Sequence, residues 1–198
     1  MTADIPDQRP GLARTPSQKE RRARILTATL DLLDESGAQA LQMREVTARS
    51  GVALATVYRY FPSKDYLVVM ALLSWSEGFV EPLWKLAAEL DDPAERLIAM
   101  LDGAVDSIDA HRAYAAALAV AASSPDPLVL EAFLAFRELL SAFIRRALEG
   151  VSQPDPAVIG VIIEGVWLRA LIELGFQNSN ADSVKRTFAR VVRLCFAS

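Results

Sequence analysis

Apolar residues recur along the chain at helical spacing, and no segment alternates apolar and polar positions as a half-buried strand would. Ile25, Thr29, Leu32 and Leu33 share one helical face. A Ser17–Gln18–Lys19–Glu20 capping box precedes them and Gly37 follows, so the spacing predicts a helix over about 18–35. Met43, Val46 and Thr47 are spaced to face inward in a short helix over 43–50, ended by Gly51, and a third short helix covers about 54–60. Two short helices joined through Ser50–Gly51–Val52–Ala53 form a helix-turn-helix, with glycine where the chain must bend sharply. Ser63 is placed to cap a long connector helix over about 64–90. Helical patterns follow over about 93–109, 111–122, 127–149, 155–176 and 181–196, separated by proline-bearing breaks at 123–127 and 152–156 and by Asn178–Ser179–Asn180. The fold class is therefore all-α.

The last two helices have unusual faces. In 181–196, Val184, Phe188, Val191 and Cys195 make an apolar stripe, opposite Lys185, Arg186, Arg190 and Arg193. In 155–176 one apolar row holds Ile159, Ile163, Val166 and Ala170, and a second holds Val158, Ile162 and Ile172. A helix with two apolar faces is either buried all round or shared with a partner. Gly160 and Gly165 would let another helix approach closely.

Composition narrows the chemistry. Hydrophobic residues make up 52% of the 198 residues, enough for a sizeable core. A single cysteine, Cys195, and a single histidine, His111, argue against a disulfide and against metal or acid–base chemistry built on such clusters, and no cofactor is expected. The first residues carry no apolar leader. The best membrane-span candidate, Ala157 to Leu174, is broken by Glu164, Arg169 and Glu173, so a cytoplasmic protein without a membrane partner is expected. The net charge of −4 argues against a nucleic-acid binder until it is divided: residues 1–64 are net +3 and residues 65–198 are net −7. Six of the early positives, Arg9, Arg14, Lys19, Arg21, Arg22 and Arg24, fall in the first 24 residues. They can be a solvated helix face or a DNA-binding patch.

The run ATVYRYFPSK, residues 55–64, clusters aromatic and basic side chains just before a helix start. Together with its flanks, through Gly51, Val52, Thr56, Tyr58, Phe61, Lys64 and Leu67, it resembles the TetR family of bacterial transcription regulators over about residues 19–70. The resemblance implies a homodimer whose small N-terminal domain binds operator DNA. The larger domain would bind a small-molecule effector and dimerise through the last two helices, about 156–196. On that basis residues 1–17 are a flexible basic arm, 18–63 the helix-turn-helix domain and 64–198 the ligand-binding and dimerisation domain. Family contact positions carry over to Thr56, Tyr58, Tyr60 and Lys64, with Arg44 and Arg59 as further candidates. Hydroxyls at those positions can donate to phosphate oxygens, and Lys64 adds charge at a helix N-terminus. Arg59 can reach guanine or a phosphate. Phe61 is expected in the core.

Two departures stand out. Ala53 cannot cap the third helix as a polar residue would, and Leu54 and Ala55 can touch thymine methyls but read no hydrogen-bonding edge. Specificity would then lean on Arg44, Arg59 and Arg14 of the arm.

On the ligand side, Trp75, Phe79, Met100, Tyr114, Phe136 and Trp167 are candidates to line an apolar pocket, against the alternative that each is ordinary core. Basic residues are sparse between 65 and 136, which favours an apolar or weakly polar effector. The run from Ala55 to Leu72 is also similar to actinobacterial repressors of cholesterol catabolism, which implies a lipid-like, acyl-thioester effector. The reading is a ligand-responsive repressor, not an enzyme. The alternative is a dimeric helical small-molecule binder or adaptor with a degenerate DNA-binding head.

Overall fold

A computed structural model describes residues 15–152, 155–177 and 179–197. Among these residues there are nine helices and no strand: α1 Pro16–Ala40, α2 Met43–Ser50, α3 Leu54–Tyr60, α4 Lys64–Ala87, α5 Pro93–Asp109, α6 Arg112–Ala121, α7 Pro127–Ala147, α8 Pro156–Phe176 and α9 Ala181–Phe196.

Local chemistry accounts for the boundaries. Pro16, with no N–H to satisfy, takes the first position of α1, so Thr15 rather than Ser17 is the cap. Its hydroxyl accepts from Gln18 N at 3.2 Å while Thr15 N donates to Gln18 Oε1 at 3.1 Å. The expected basic arm mostly falls on residues 1–14, outside the described residues; its last two positions, Pro16 and Ser17, are helical. Gly37 leaves the helical region at φ 75°, so the regular part of α1 ends near the expected place. Gly51 sits at φ 65° in the turn between α2 and α3, a conformation most side chains resist. Ser63 caps α4 through Tyr66 N at 3.2 Å, and Asp92, Asp126, Asp155 and Asn180 cap the helices that follow them. α4 ends at Ala87, short of the expected residue 90, because the chain turns there to let Asp92 begin α5.

One hydrophobic cluster runs through the whole molecule. Ile25, Leu33, Val46, Val57, Phe61 and Leu67 fill the small N-terminal end, and Leu72, Met100, Leu101, Tyr114, Ile163 and Phe188 continue it through the larger one. α4 is the only helix among the described residues with the length and apolarity to cross a membrane. It is a core helix here, with Tyr66, Leu67, Val68, Val69, Ala71 and Leu72 buried. α6 packs against α8, and α9 lies across α5 and α8. In α9 the buried row is Val184, Phe188 and Val192, while Val191 and Cys195 sit half-buried at its edge. The first half of the expected stripe is buried as read, and in the second half Val192 takes the buried place expected for Val191.

Candidate nucleic-acid interface

α2 and α3 meet across the Gly51 turn, and α1 closes the small core behind them. α3 buries Val57 and Tyr60, which leaves Leu54, Ala55, Tyr58 and Arg59 exposed on the opposite arc and Thr56 half-buried at its edge. Tyr58 is 46% exposed, a large ring left in water with no packing reason. Arg44 projects into solvent from the first turn of α2. Ala53 makes no side-chain cap, as its methyl requires.

Three basic or aromatic residues of this end do not lie where the motif suggests. Tyr60 is buried, 5% exposed, with its ring 6.2 Å from Phe61 and its hydroxyl enclosed without a hydrogen-bond partner. The expectation that it grips a phosphate is corrected: the i, i+3 spacing from Val57 turns it into the core. Lys64 is half-buried, and its ammonium donates to the carbonyls of Ala38 at 3.0 Å and Gln39 at 3.4 Å, tying the end of α1 to the start of α4. Arg22 turns inward, its guanidinium 5.6 Å from the Phe61 ring centroid, and burial lowers its pKa below the ordinary arginine value. Arg59 lies over the Tyr60 ring at 5.7 Å, on the exposed side.

Farther from α3, the six candidate pocket residues divide. Met100 and Tyr114 are fully packed core. Phe79, Phe136 and Trp167, with Ser76, Ala104 and Phe143, line a small cavity of about 30 Å³, room for about one water. Ser76 Oγ and Trp167 Nε1 are buried there without a hydrogen-bond partner. Phe136 and Trp167 also line a groove of about 340 Å³ between α7 and α8 that adjoins this cavity. Trp75 is edge-on to Phe79 at 4.9 Å, to Tyr114 at 5.1 Å and to His111 at 5.7 Å.

That aromatic group ends on a carboxylate of α1. Tyr114 Oη donates to Asp34 Oδ2 at 2.9 Å, and His111 Nδ1 lies 2.9 Å from Asp34 Oδ1 with its ring stacked on Tyr114 at 4.7 Å. Burial first, and then the bond to Asp34, push the Tyr114 hydroxyl pKa well above its ordinary value. Asp34 thereby joins the N-terminal end to α6. Sequence reading did not find this contact, because its partners lie 77 and 80 residues apart and each sits in an unremarkable local pattern.

Comparison with known proteins decides the family. Residues 25–70 match the bacterial regulatory proteins of the tetR family. Over 187 residues the chain is 32% identical to the HTH-type transcriptional repressor KstR of Mycolicibacterium smegmatis, covering 90% of this chain and 88% of that one. The chain belongs to the TetR family. A TetR regulator from Rhodococcus sp. RHA1 superposes with a TM-score of 0.71 at 21% identity, over 93% of this chain and 99% of its own. Thermus thermophilus FadR, a TetR-family repressor solved with lauroyl-CoA, gives a TM-score of 0.71 at 20% identity, over 86% and 92% of the two chains.

As a TetR-family member the protein is a DNA-binding transcriptional regulator, not an enzyme. The matched span, 25–70, contains α2, α3 and their turn, so the exposed arc of α3 lies inside the family's defining segment.

Proposed function

We propose that this protein is a ligand-responsive, dimeric repressor acting in the cytoplasm. Residues 18–63 form the DNA-binding head and 64–198 the body that takes the effector and the partner subunit. The observation that carries the DNA-binding part is the exposed arc of α3, where Tyr58 stands in water beside Leu54 with no packing to hold it there and Arg59 lies on the solvent side of the Tyr60 ring. Tyr58, Thr56 and Arg44 hold phosphates, Leu54 meets a thymine methyl, and Arg59 reaches either a base edge or a phosphate. Lys64 can offer a phosphate its remaining N–H while it caps α1.

The dimer forms through α8 and α9. On α8, Val158, Val161, Ile162, Leu168 and Ile172 form an exposed apolar face crossed by Arg169, and Val161 is 74% exposed. Its opposite face, Ile159, Ile163, Trp167, Ala170 and Leu171, is buried in the same chain. Gly160 and Gly165 have nothing within 4 Å of where a Cβ would stand, which leaves room for a second helix.

The effector is apolar or lipid-like and enters the body at the α7–α8 groove. It expands the small cavity among Phe79, Phe136 and Trp167, where Ser76 Oγ and Trp167 Nε1 can donate to a carbonyl or hydroxyl oxygen. The likeness to a FadR solved with lauroyl-CoA supports that class. Such a ligand acts by preferring the conformation that separates the two heads wrongly for DNA, whose half-sites lie one or more helical turns apart.

Selection of genomic fragments bound by the protein, followed by titration at two salt concentrations, tests the reading. It requires affinity that falls steeply with salt and a subset of fragments bound well above random duplex. Equal, weak binding to every fragment would favour the adaptor alternative.

A further inference from the structure

A cleft of about 350 Å³ lies where head and body meet. One wall is the end of α1, Ser36 to Gln39, with the first turns of α4; the other is α6 with the start of α7. Its floor is Val68, Val69, Ala117, Ala121 and Val129, all buried. Two apolar side chains stand in water at its mouth, Val120 at 60% exposed and Phe176 at 57%.

We infer that this cleft is a second ligand site, for an uncharged and mainly aliphatic molecule with one or two hydrogen-bonding oxygens. Volume sets the size: at roughly 30 Å³ each the cleft holds about a dozen water-sized units, the low end of small-molecule sites. Burying Val120 and Phe176 supplies an apolar driving force that the free protein leaves unused. The rim sets the charge. Lys64 and Asp65 bring one charge of each sign, and the Lys64 ammonium already neutralises the carbonyl end of α1 by donating to Ala38 and Gln39. An anion entering there meets the Asp65 carboxylate and the α1 carbonyls; a cation meets Lys64. Ser36, Gln39 and Ser124 offer neutral hydrogen-bonding groups instead.

Position gives the site its consequence. Asp34 lies two residues before Ser36 on one wall, and its partners His111 and Tyr114 lie on either side of Ala113 on the other, so the contact borders the same seam. An occupant lies between the end of α1 and α6, and it bears on the head directly.

The test uses the full-length protein without DNA, so its outcome is independent of operator binding. A 1-decanol derivative with a mid-chain diazirine is photolysed with the protein, and adducts are mapped by mass spectrometry. The site predicts adducts concentrated on residues 113–121 and 64–69. It predicts at least a tenfold loss of them in Val120→Trp, which fills the mouth from an exposed position, with the thermal midpoint checked to be unchanged. Unlabelled 1-decanol should compete at least fivefold better than decanoate. Adducts confined to peptides around Phe79, Phe136 and Trp167, adducts unchanged in Val120→Trp, or stronger competition by decanoate would each overturn the inference. If Val120→Trp lowers the midpoint, Ala113→Phe on the same wall replaces it with the same expected loss.

Discussion

α6 is bounded by two regions built from the same small residues, with opposite results. On one side Gly175 of α8 comes so close that a Cβ there would lie 2.5 Å from Ala116 N and 2.7 Å from Ala116 Cα. Next to it Ala113, Ala117, Ala121 and Val120, with Ala116 itself, line the open cleft toward the end of α1 and the start of α4. Small side chains permit close approach only when the facing helix is also bare at that point. Opposite the end of α1, the same alanines leave an open cleft. The α6–α8 seam is thus closely packed and the head–body seam open.

Substitution at the tight seam should have the largest effect. Gly175→Ala pushes a methyl into backbone that cannot move aside, at about 1–3 kcal/mol. Thermal unfolding should show a midpoint lower by roughly 3–10 °C for a chain of this size. Gly165→Ala on the same helix meets nothing in its own chain and should leave the fold's stability unchanged or raise it by up to about 1 kcal/mol at protein concentrations where the dimer is absent. Equal effects at the two glycines would erase the contrast between the seams.

At the open seam the change removes one hydrogen bond and no backbone packing, so it should cost less. Tyr114→Phe removes the hydroxyl that donates to Asp34, a loss of about 1.5 kcal/mol by chemical denaturation. The same bond gives a pH signature. Burial and Asp34 raise the folded-state pKa of the Tyr114 hydroxyl above its ordinary 10.0, so the folded protein holds this proton more tightly than the unfolded chain. Its stabilising contribution is complete below pH 10 and is lost progressively as the pH rises above it. The wild type should therefore lose more stability between pH 9 and about pH 11 than Tyr114→Phe does. Parallel curves would mean that the hydroxyl is not enclosed as described.

The smallest expected effect comes from inside the head. Tyr60→Phe deletes a buried hydroxyl that has no partner, so stability should stay the same or rise by up to about 1 kcal/mol.

Much of this was legible in the sequence, for a physical reason. Helix ends are set by neighbours in the chain, so Ser63, Asp92, Gly51 and Gly37 marked theirs closely, and the two faces of α8 were readable from Ile159 and Ile163 against Val158 and Ile162. The motif in 51–67 carried the family. What failed depended on contacts distant in sequence. Tyr60 shares its motif with Tyr58 and differs only in which side of a seven-residue helix meets the core. Lys64 reads as a free cation until the end of α1 is seen beside it. Met100 and Tyr114 could not be told from pocket residues, because an apolar side chain carries the same local signal whether it meets packed core or a cavity. The cleft was invisible, since no single segment contains it.

The most direct measurement compares the two tyrosines of α3 on DNA. Fluorescence anisotropy on a selected operator, at fixed salt, should show Tyr58→Ala binding about tenfold or more weakly, a change of about 1.4 kcal/mol. Tyr60→Phe should bind as the wild type does. If Tyr60→Phe weakens binding as much as Tyr58→Ala, or if Tyr58→Ala binds normally, the exposed arc of α3 is not the surface that meets DNA.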